Sequence, residues 1–346
     1  SLVWSSLGPE AAYGFEIVPW EPAAGAAAHW FTTVQRRLLE IAREWHDSLL
    51  STGYFGERWL RNSFATLRRL GAPRLFSWND SRLPVLVAPG PTLENSVSWL
   101  RKERSSLSVV AVSSAITTLH SAGILPDIIV HTDASYWATL HLRPVLHSSQ
   151  RADGAPPPLV ASLRAALPSG CTNGLSAILI DPTSPVERAL AGTTTFPSLS
   201  LPGHGTVTGT ALRLVRRLWA TPVLLVGLDL ASHGYRAHAR PHAFDAFDLT
   251  HNHRLRPTPS IARGRMLDPR PIGDGWIQPR DLALYARSIA SELRSTQPPS
   301  LRRHPSPVPL PCRTVGEEYR PSVGNAESSR EFTPRRSVEH TPGQLL

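Results

Sequence analysis

From Pro84 onward the chain alternates short unbroken apolar runs with stretches patterned as helices: "PVLVA", "LENSVSWLRKE", "LSVVAVS", "AITTLHSAG", "DIIVHTD". A strand that is apolar at every position has no face to give to water. Both faces of its sheet must be covered, and the helical stretches between the strands supply the cover. The alternation resumes in "LVASL", "LSAILID", "TVTGTALRLVRRLWA" and "PVLLVGLDL". This pattern dictates an α/β fold, a doubly wound and mostly parallel Rossmann-like sheet with its strands between about 80 and 230.

Around those strands the chain divides into an N-terminal segment 1–75, a core 76–295 and a tail 296–346. The first segment reads as mainly helical from about 31. "FTTVQRRLLEIAREWHDSLL" and "ERWLRNSFATLRRL" carry apolar residues at three- and four-residue spacing, which predicts two amphipathic helices separated by a turn at "STGYFG". Residues 231–280 are rich in His, Arg, Pro and Gly without periodicity and read as a long functional loop or lid. A last helix is expected at "DLALYARSIASEL", and the Pro-, Arg- and Ser-rich tail is expected to be disordered.

The formal charge of +9 raises the question of nucleic acid. Lys102 is the only lysine, and the arginines are spread along the chain without interleaved aromatics, so no nucleic-acid partner is expected. Residues 1–30 contain neither a signal-peptide pattern nor a bilayer-length apolar stretch. No membrane association is expected, and a natural N-terminus beyond Ser1 is. Cys171 and Cys312 are too few for a disulfide framework or a cysteine-rich zinc site and suit a reducing cytoplasm.

Ligands of open α/β sheets sit outside the carboxyl ends of the strands, which selects a short set of residues. The first strand ends at Ala88-Pro89-Gly90-Pro91-Thr92. Gly90 permits close backbone approach and Thr92 is a natural helix N-cap, so the turn is a candidate phosphate site; a plain strand-to-helix turn uses the same residues. Ser113 and Ser114 end the second strand, as helix caps or as ribose contacts. Asp133 ends the third, where a carboxylate suits a sugar hydroxyl or a metal ion.

"LPGHGTVTGTAL" places Gly203, Gly205 and Thr206 before a helix and is a second candidate anion or ribose site. Asp229, two residues after Gly227, closes "PVLLVGLDL". If Asp229 and Asp133 line one cleft, they form a pair of carboxylates able to hold Mg2+ against phosphates. The histidines that follow, at 233, 238, 242, 251 and 253, lack the helical spacing of a zinc site. A single histidine as general base or phosphate contact is the better reading, with His238 the candidate.

"VLVAPGPTLENSVSWL", "VVAVSSAITTLHSAGILPDIIVHTD" and "VLLVGLDLAS…RAHA" resemble, in order and spacing, a family that joins the bacterial motility accessory factors to the archaeal MptE-like 6-hydroxymethylpterin diphosphokinases. The likeness spans about 55–242 and includes a preceding helix with Trp59 and Asn62. It implies a nucleotide bound at the glycine turn of a Rossmann-like core. In the motility branch it implies transfer of a nonulosonic acid sugar from a CMP-activated donor to Ser or Thr of flagellin; in the archaeal branch, magnesium-dependent transfer of diphosphate from ATP to a pterin alcohol. Gly90, Pro91 and Thr92 match the family's Gly-Pro-Ser/Thr, Asp133 its aspartate after the third strand, and Asp229 and His238 its Gly-x-Asp-Leu…His signature. Ala88 stands where the family usually has a first glycine, and the usual closing segment is absent. Those departures support a third reading, a non-catalytic scaffold partner of the flagellar machinery.

Overall fold

The structure, a computed structural model of the chain, describes residues 18, 20–70, 80–146, 156–169, 177–180, 184–194, 198–199, 201, 204–219, 222–255, 257, 269–294 and 301–303. Gly203, Cys171, Cys312 and the tail other than 301–303 lie outside the described residues.

The N-terminal segment holds a short helix α1 (Glu21–Ala26) and one long helix α2 (Ala28–Arg69). The expected turn at "STGYFG" is absent, and α2 runs through it unbroken for 42 residues. Gly53 and Gly56 weaken a helix by about 1 kcal/mol each, a cost that does not break the pattern of Leu49, Phe55 and Trp59 that flanks them. The chain forms two compact units, Ser1–Arg61 and Asn62–Leu346. The last turns of α2 therefore belong with the core. There Thr66 Oγ1 donates to the Ala165 carbonyl at 3.1 Å, the Arg69 guanidinium donates to the Leu167 carbonyl, and Ser63 and Leu70 are buried.

The strands are β1 (Leu83–Val87), β2 (Leu107–Val112), β3 (Ile128–His131), β4 (Leu159–Ala161), β5 (Ala177–Ile180), β6 (Ser198–Leu199), β7 (Val223–Val226), β8 (Ser232–His233), β9 (Arg270–Gly273), β10 (Trp276–Gln278) and β11 (Leu301–Arg303). Eight of them form one parallel sheet in the order β11-β7-β1-β2-β3-β4-β5-β6. The α/β class follows from the sequence as expected: β2 and β3 are buried along their whole length, as two-sided cover requires. The helices of this unit are α3 (Leu93–Lys102), α4 (Ile116–Ser121), α5 (Arg143–Leu146), α6 (Pro185–Gly192), α7 (Val207–Leu218), α8 (Asp245–Thr250) and α9 (Arg280–Arg294).

The strand order fixes where a ligand crevice lies. The chain builds outward from β1 to β6, returns through α7, which crosses β1, β2 and β3, and lays β7 on the other side of β1. The direction of winding reverses between β1 and β7, the position at which open α/β sheets take ligands. Residues 231–280, expected as one irregular loop, contain a small antiparallel sheet in the order β8-β10-β9 and the helix α8. Two- to four-residue strands are too short to show a period of two, which is why the pattern was invisible in sequence.

Candidate functional site

At the β1–β7 reversal, Asp229 follows β7 and Thr92 precedes α3. The Thr92 amide donates to Asp229 Oδ2 at 2.8 Å and the Thr92 hydroxyl donates to Oδ1. Thr92 stands at the N-cap, but its side chain makes no cap bond, because it is turned to the aspartate instead. Asp229 is 3% exposed, and its carboxyl group sits inside the protein at the N-terminal end of α3. Gly90 is required for that approach: a Cβ there would lie 2.4 Å from Asp229 Oδ2 and 2.5 Å from the Gly227 carbonyl. Gly227 has a φ of +68°, and a Cβ on it would meet the Ala88 carbonyl at 2.2 Å.

Every amide of this turn is committed. Gly90 donates to Gly227, Leu93 to Gly90, Glu94 to Pro91 and Asn95 to Thr92, and Pro91 has no N–H. In this arrangement the turn keeps no free N–H for a phosphate, and its hydrogen bonding is that of the plain strand-to-helix turn.

Ser113 and His131 are also turned inward. The His131 ring is fully buried between the Ser113 hydroxyl (2.9 Å from Nδ1) and the Ala166 carbonyl (2.8 Å from Nε2). A carbonyl accepts only, so Nε2 carries the proton and Ser113 donates to Nδ1. Burial lowers the His131 pKa, and the pair is a neutral polar element of the core. Asp133 is exposed at the end of β3, where its Oδ1 accepts from the Ser135 amide at 2.7 Å.

The second glycine segment forms a built helix start. Thr206 caps α7 by accepting from the Gly209 amide at 2.9 Å, and the His204 Nδ1 accepts from the Thr206 amide at 3.2 Å. His204 Nε2 then reaches Ser288 of α9 at 3.0 Å. On the same helix the Tyr285 phenol is pushed up by burial and then by the carboxylates of Asp281 and Asp133. This puts Asp133 within electrostatic reach of α9. His204, Tyr285 and Ser288 had no motif to signal them.

The sequence-predicted His238 lies on a strap, residues 236–245, that crosses the carboxyl ends of β1, β2 and β3. Glu94 of α3 holds its start, accepting from Arg236 at 3.0 Å and from the Arg240 amide at 2.9 Å. The Ala239 amide donates to the Pro89 carbonyl at 2.8 Å, and Thr118 donates to the Pro241 carbonyl at 2.9 Å. Beyond Pro241, His242 sits between two other imidazoles. Its centroid is 4.4 Å from that of His238 and 5.1 Å from that of His141, with Phe244 against both His141 and His242. Burial lowers all three pKa values, to about 4 for His141 and about 2 for His242, so the cluster is neutral near pH 7. His238 is the partly exposed member.

The carboxylate pair does not suit a shared Mg2+ in this arrangement. Both oxygens of Asp229 are bonded to Thr92, while Asp133 lies beyond β1 and β2 at the end of β3. Three strand spacings separate them, on the order of 14 Å. Among the described residues no group of three or more His, Cys, Asp or Glu has metal-binding geometry. Nor is any helix among them long and apolar enough to cross a membrane.

Two proteins of Treponema pallidum (strain Nichols), both described as uncharacterized, are similar to the chain. One is 32% identical over 230 residues, covering 65% of this chain and 48% of that protein. The other is 27% identical over 85 residues, covering 24% and 40%. The chain thus spans about half the length, or less, of these curated relatives. Among solved structures, the MAf glycosyltransferase from Magnetospirillum magneticum AMB-1 superposes with a TM-score of 0.48 at 15% identity, over 74% of this chain and 39% of that one. The family profile described as "6-hydroxymethylpterin diphosphokinase MptE-like" matches residues 57–234, just over half of the sequence and the whole of the β1–β7 sheet, and the chain belongs to that family.

Proposed function

We propose that the chain is a cytoplasmic nucleotide-dependent transferase that moves a nonulosonic acid sugar from a CMP-activated donor to a Ser or Thr hydroxyl of flagellin. The observation that carries this reading is His238: an imidazole kept neutral by burial, partly open to solvent, and strapped across the carboxyl ends of the strands where a ligand of this fold sits. In the proposed reaction the acceptor oxygen attacks the anomeric carbon of the donor, and its proton passes to the unprotonated ring nitrogen of His238. CMP leaves with the electron pair of the broken C–O bond. Asp133, the exposed carboxylate of the edge, accepts from a sugar or ribose hydroxyl, and the Gly205–Thr206 helix start faces the donor. Asp229 acts by holding Thr92, and so the β1 turn, in place.

The name of the family favours a second reading, diphosphate transfer from ATP to a pterin alcohol. That chemistry needs a divalent cation between phosphates, and the separation of Asp133 from Asp229 supports the first reading over it. A thermal-shift panel of CMP, CMP-nonulosonate, ATP and GTP, with and without magnesium, on the wild type and on Asp133→Ala, tests both. A ligand at a hundredfold its dissociation constant adds about 2.7 kcal/mol of stability. The expected result is a cytidine-selective, magnesium-independent shift that the variant loses. A magnesium-dependent ATP shift would establish the diphosphokinase reading, and no shift with any nucleotide would leave the scaffold role.

A further inference from the structure

Two buried nitrogens of the imidazole cluster have no hydrogen-bond partner: His141 Nδ1 and His242 Nε2. The two residues are 5% and 7% exposed, so water does not satisfy these atoms from the surface. A buried polar atom left unmade costs about 1–3 kcal/mol, and two on neighbouring rings mark a place built for something else. The chemistry of the pair says what. His242 Nδ1 accepts from the Phe244 amide at 3.3 Å, so its proton is on Nε2 and the vacant atom is a donor. A protonated Nε2 is no metal ligand. Neutral rings give no charge to hold a phosphate or carboxylate away from water. One N–H donor beside a second unpartnered ring nitrogen is matched by an uncharged hydroxyl, whose oxygen accepts from His242 Nε2 and whose own proton stays free for His238.

We propose that His141 and His242 form a hydroxyl-binding subsite beneath the strap that receives the alcohol of the transfer acceptor, with His238 as its outer wall. This rests on the transferase reading above and adds to it the residues that orient the acceptor. His238 stacks on His242 at an interplanar angle of 15° and is the partly exposed ring of the three, so the subsite meets the surface at the ring that takes the proton.

The test uses the full chain with His242→Gln, which keeps an N–H near the Nε2 position, and with His242→Phe and His141→Phe, which keep ring volume and lose the polar atom. The probe is N-acetylserine methylamide, with the alanine analogue as control, followed through the imidazole 15N resonances without donor and then through transfer from CMP-nonulosonate. The serine compound is expected to move the His141 and His242 resonances while the alanine compound does not. The two Phe variants should lose about tenfold in kcat/KM for the acceptor, with CMP binding unchanged and His242→Gln close to wild type. Equal activity in all variants, equal loss in Gln and Phe, or identical responses to the two probes, as an enclosed water would give, overturns the proposal. If the wild type neither binds CMP nor transfers, the transferase reading has failed, and the donor-free resonances still decide whether the subsite exists.

Discussion

Thr92 and Asp229 lie 137 residues apart and are joined by two hydrogen bonds, one from the amide and one from the hydroxyl, both to a carboxylate that solvent scarcely reaches. The pair closes the carboxyl end of β1 onto that of β7 at the point where the winding of the sheet reverses. It gives the glycine turn a structural purpose that competes with phosphate binding, since the Thr92 amide at the start of α3 is already bonded to Asp229. Removing Asp229 leaves the Thr92 amide and hydroxyl buried without an acceptor. Asp229→Ala is therefore expected to lose about 3 kcal/mol of unfolding free energy in urea, and Asp229→Asn, which keeps one acceptor oxygen, less than half of that. Equal stability of wild type and Asp229→Ala would show that the pair does not hold the turn.

Gly90 is tested by its neighbour. A methyl group at this position meets Asp229 Oδ2 and, independently, the Gly227 carbonyl at 2.5 Å. Gly90→Ala is expected to cost about 2–4 kcal/mol. Because the backbone contact survives loss of the carboxylate, Asp229→Ala should not rescue it, and denaturation of the double variant checks this. Full rescue would mean that the side chain alone excludes a Cβ.

The continuity of α2 gives an opposite sign. An alanine Cβ at Gly53 has nothing within 4 Å, and at Gly56 it meets only the Thr52 methyl at 4.0 Å. Within a helix, glycine-to-alanine replacement adds about 0.5–1 kcal/mol per site. Gly53→Ala and Gly56→Ala should each raise the thermal midpoint of the protein or its helical circular dichroism. A fall in both would restore the turn that the local sequence suggests.

Asn62 ties the end of α2 to the loop that carries Asp133. Its side-chain amide donates to the carbonyls of Ala134 and Arg164, both at 3.0 Å, across 72 and 102 residues of sequence. Asn62→Ala leaves two carbonyls short of a donor and is expected to cost about 1–3 kcal/mol. If the proposed contact of Asp133 with the donor is real, the variant should also weaken CMP binding, read by calorimetry. Asn62→Asp, which cannot donate, should behave as the alanine variant does.

What was legible in the sequence was what burial writes into it. Val109, Val110, Ile128 and Ile129 are apolar because both faces of their strands are covered, so the sheet and its class were readable from runs of residue type. The carboxyl-end rule placed Gly90, Thr92, Asp133 and Asp229 after β1, β3 and β7, where the structure has them. Their partners were not readable. Asp229 binds Thr92 because β7 lies beside β1, and strand order is a long-range property that no local window contains. His141 was missed for the same reason: in "ATLHLRP" it is a lone histidine, and its meaning comes from His242, 101 residues later, folded back over it. The break expected in α2 failed differently, since glycines that suggest a turn locally were outweighed by the apolar period on either side.

The imidazole cluster makes stability depend on pH in a direction that its pKa values fix. Burial lowers His141 to about 4 and His242 to about 2, against an unfolded value near 6.5. Above that value both states are neutral and stability is complete. As pH falls below 6.5 the unfolded chain takes up protons that the folded cluster refuses, and each imidazole costs about 1.4 kcal/mol per pH unit. The loss from His141 ends near pH 4, where the folded state also binds its proton, while that from His242 continues lower. The lowered pKa values of His238 and His131 act with the same sign. Urea unfolding of the wild type at intervals between pH 7 and 4 should therefore show a steep decline. Carboxylates titrate in part of this range, but they are common to His242→Phe, so the difference between the two proteins isolates the ring. That difference should change by about 1.4 kcal/mol per unit below pH 6, the variant losing less. Parallel curves would mean that His242 takes up its proton in the folded chain as readily as in the unfolded one, and that the cluster is open to water.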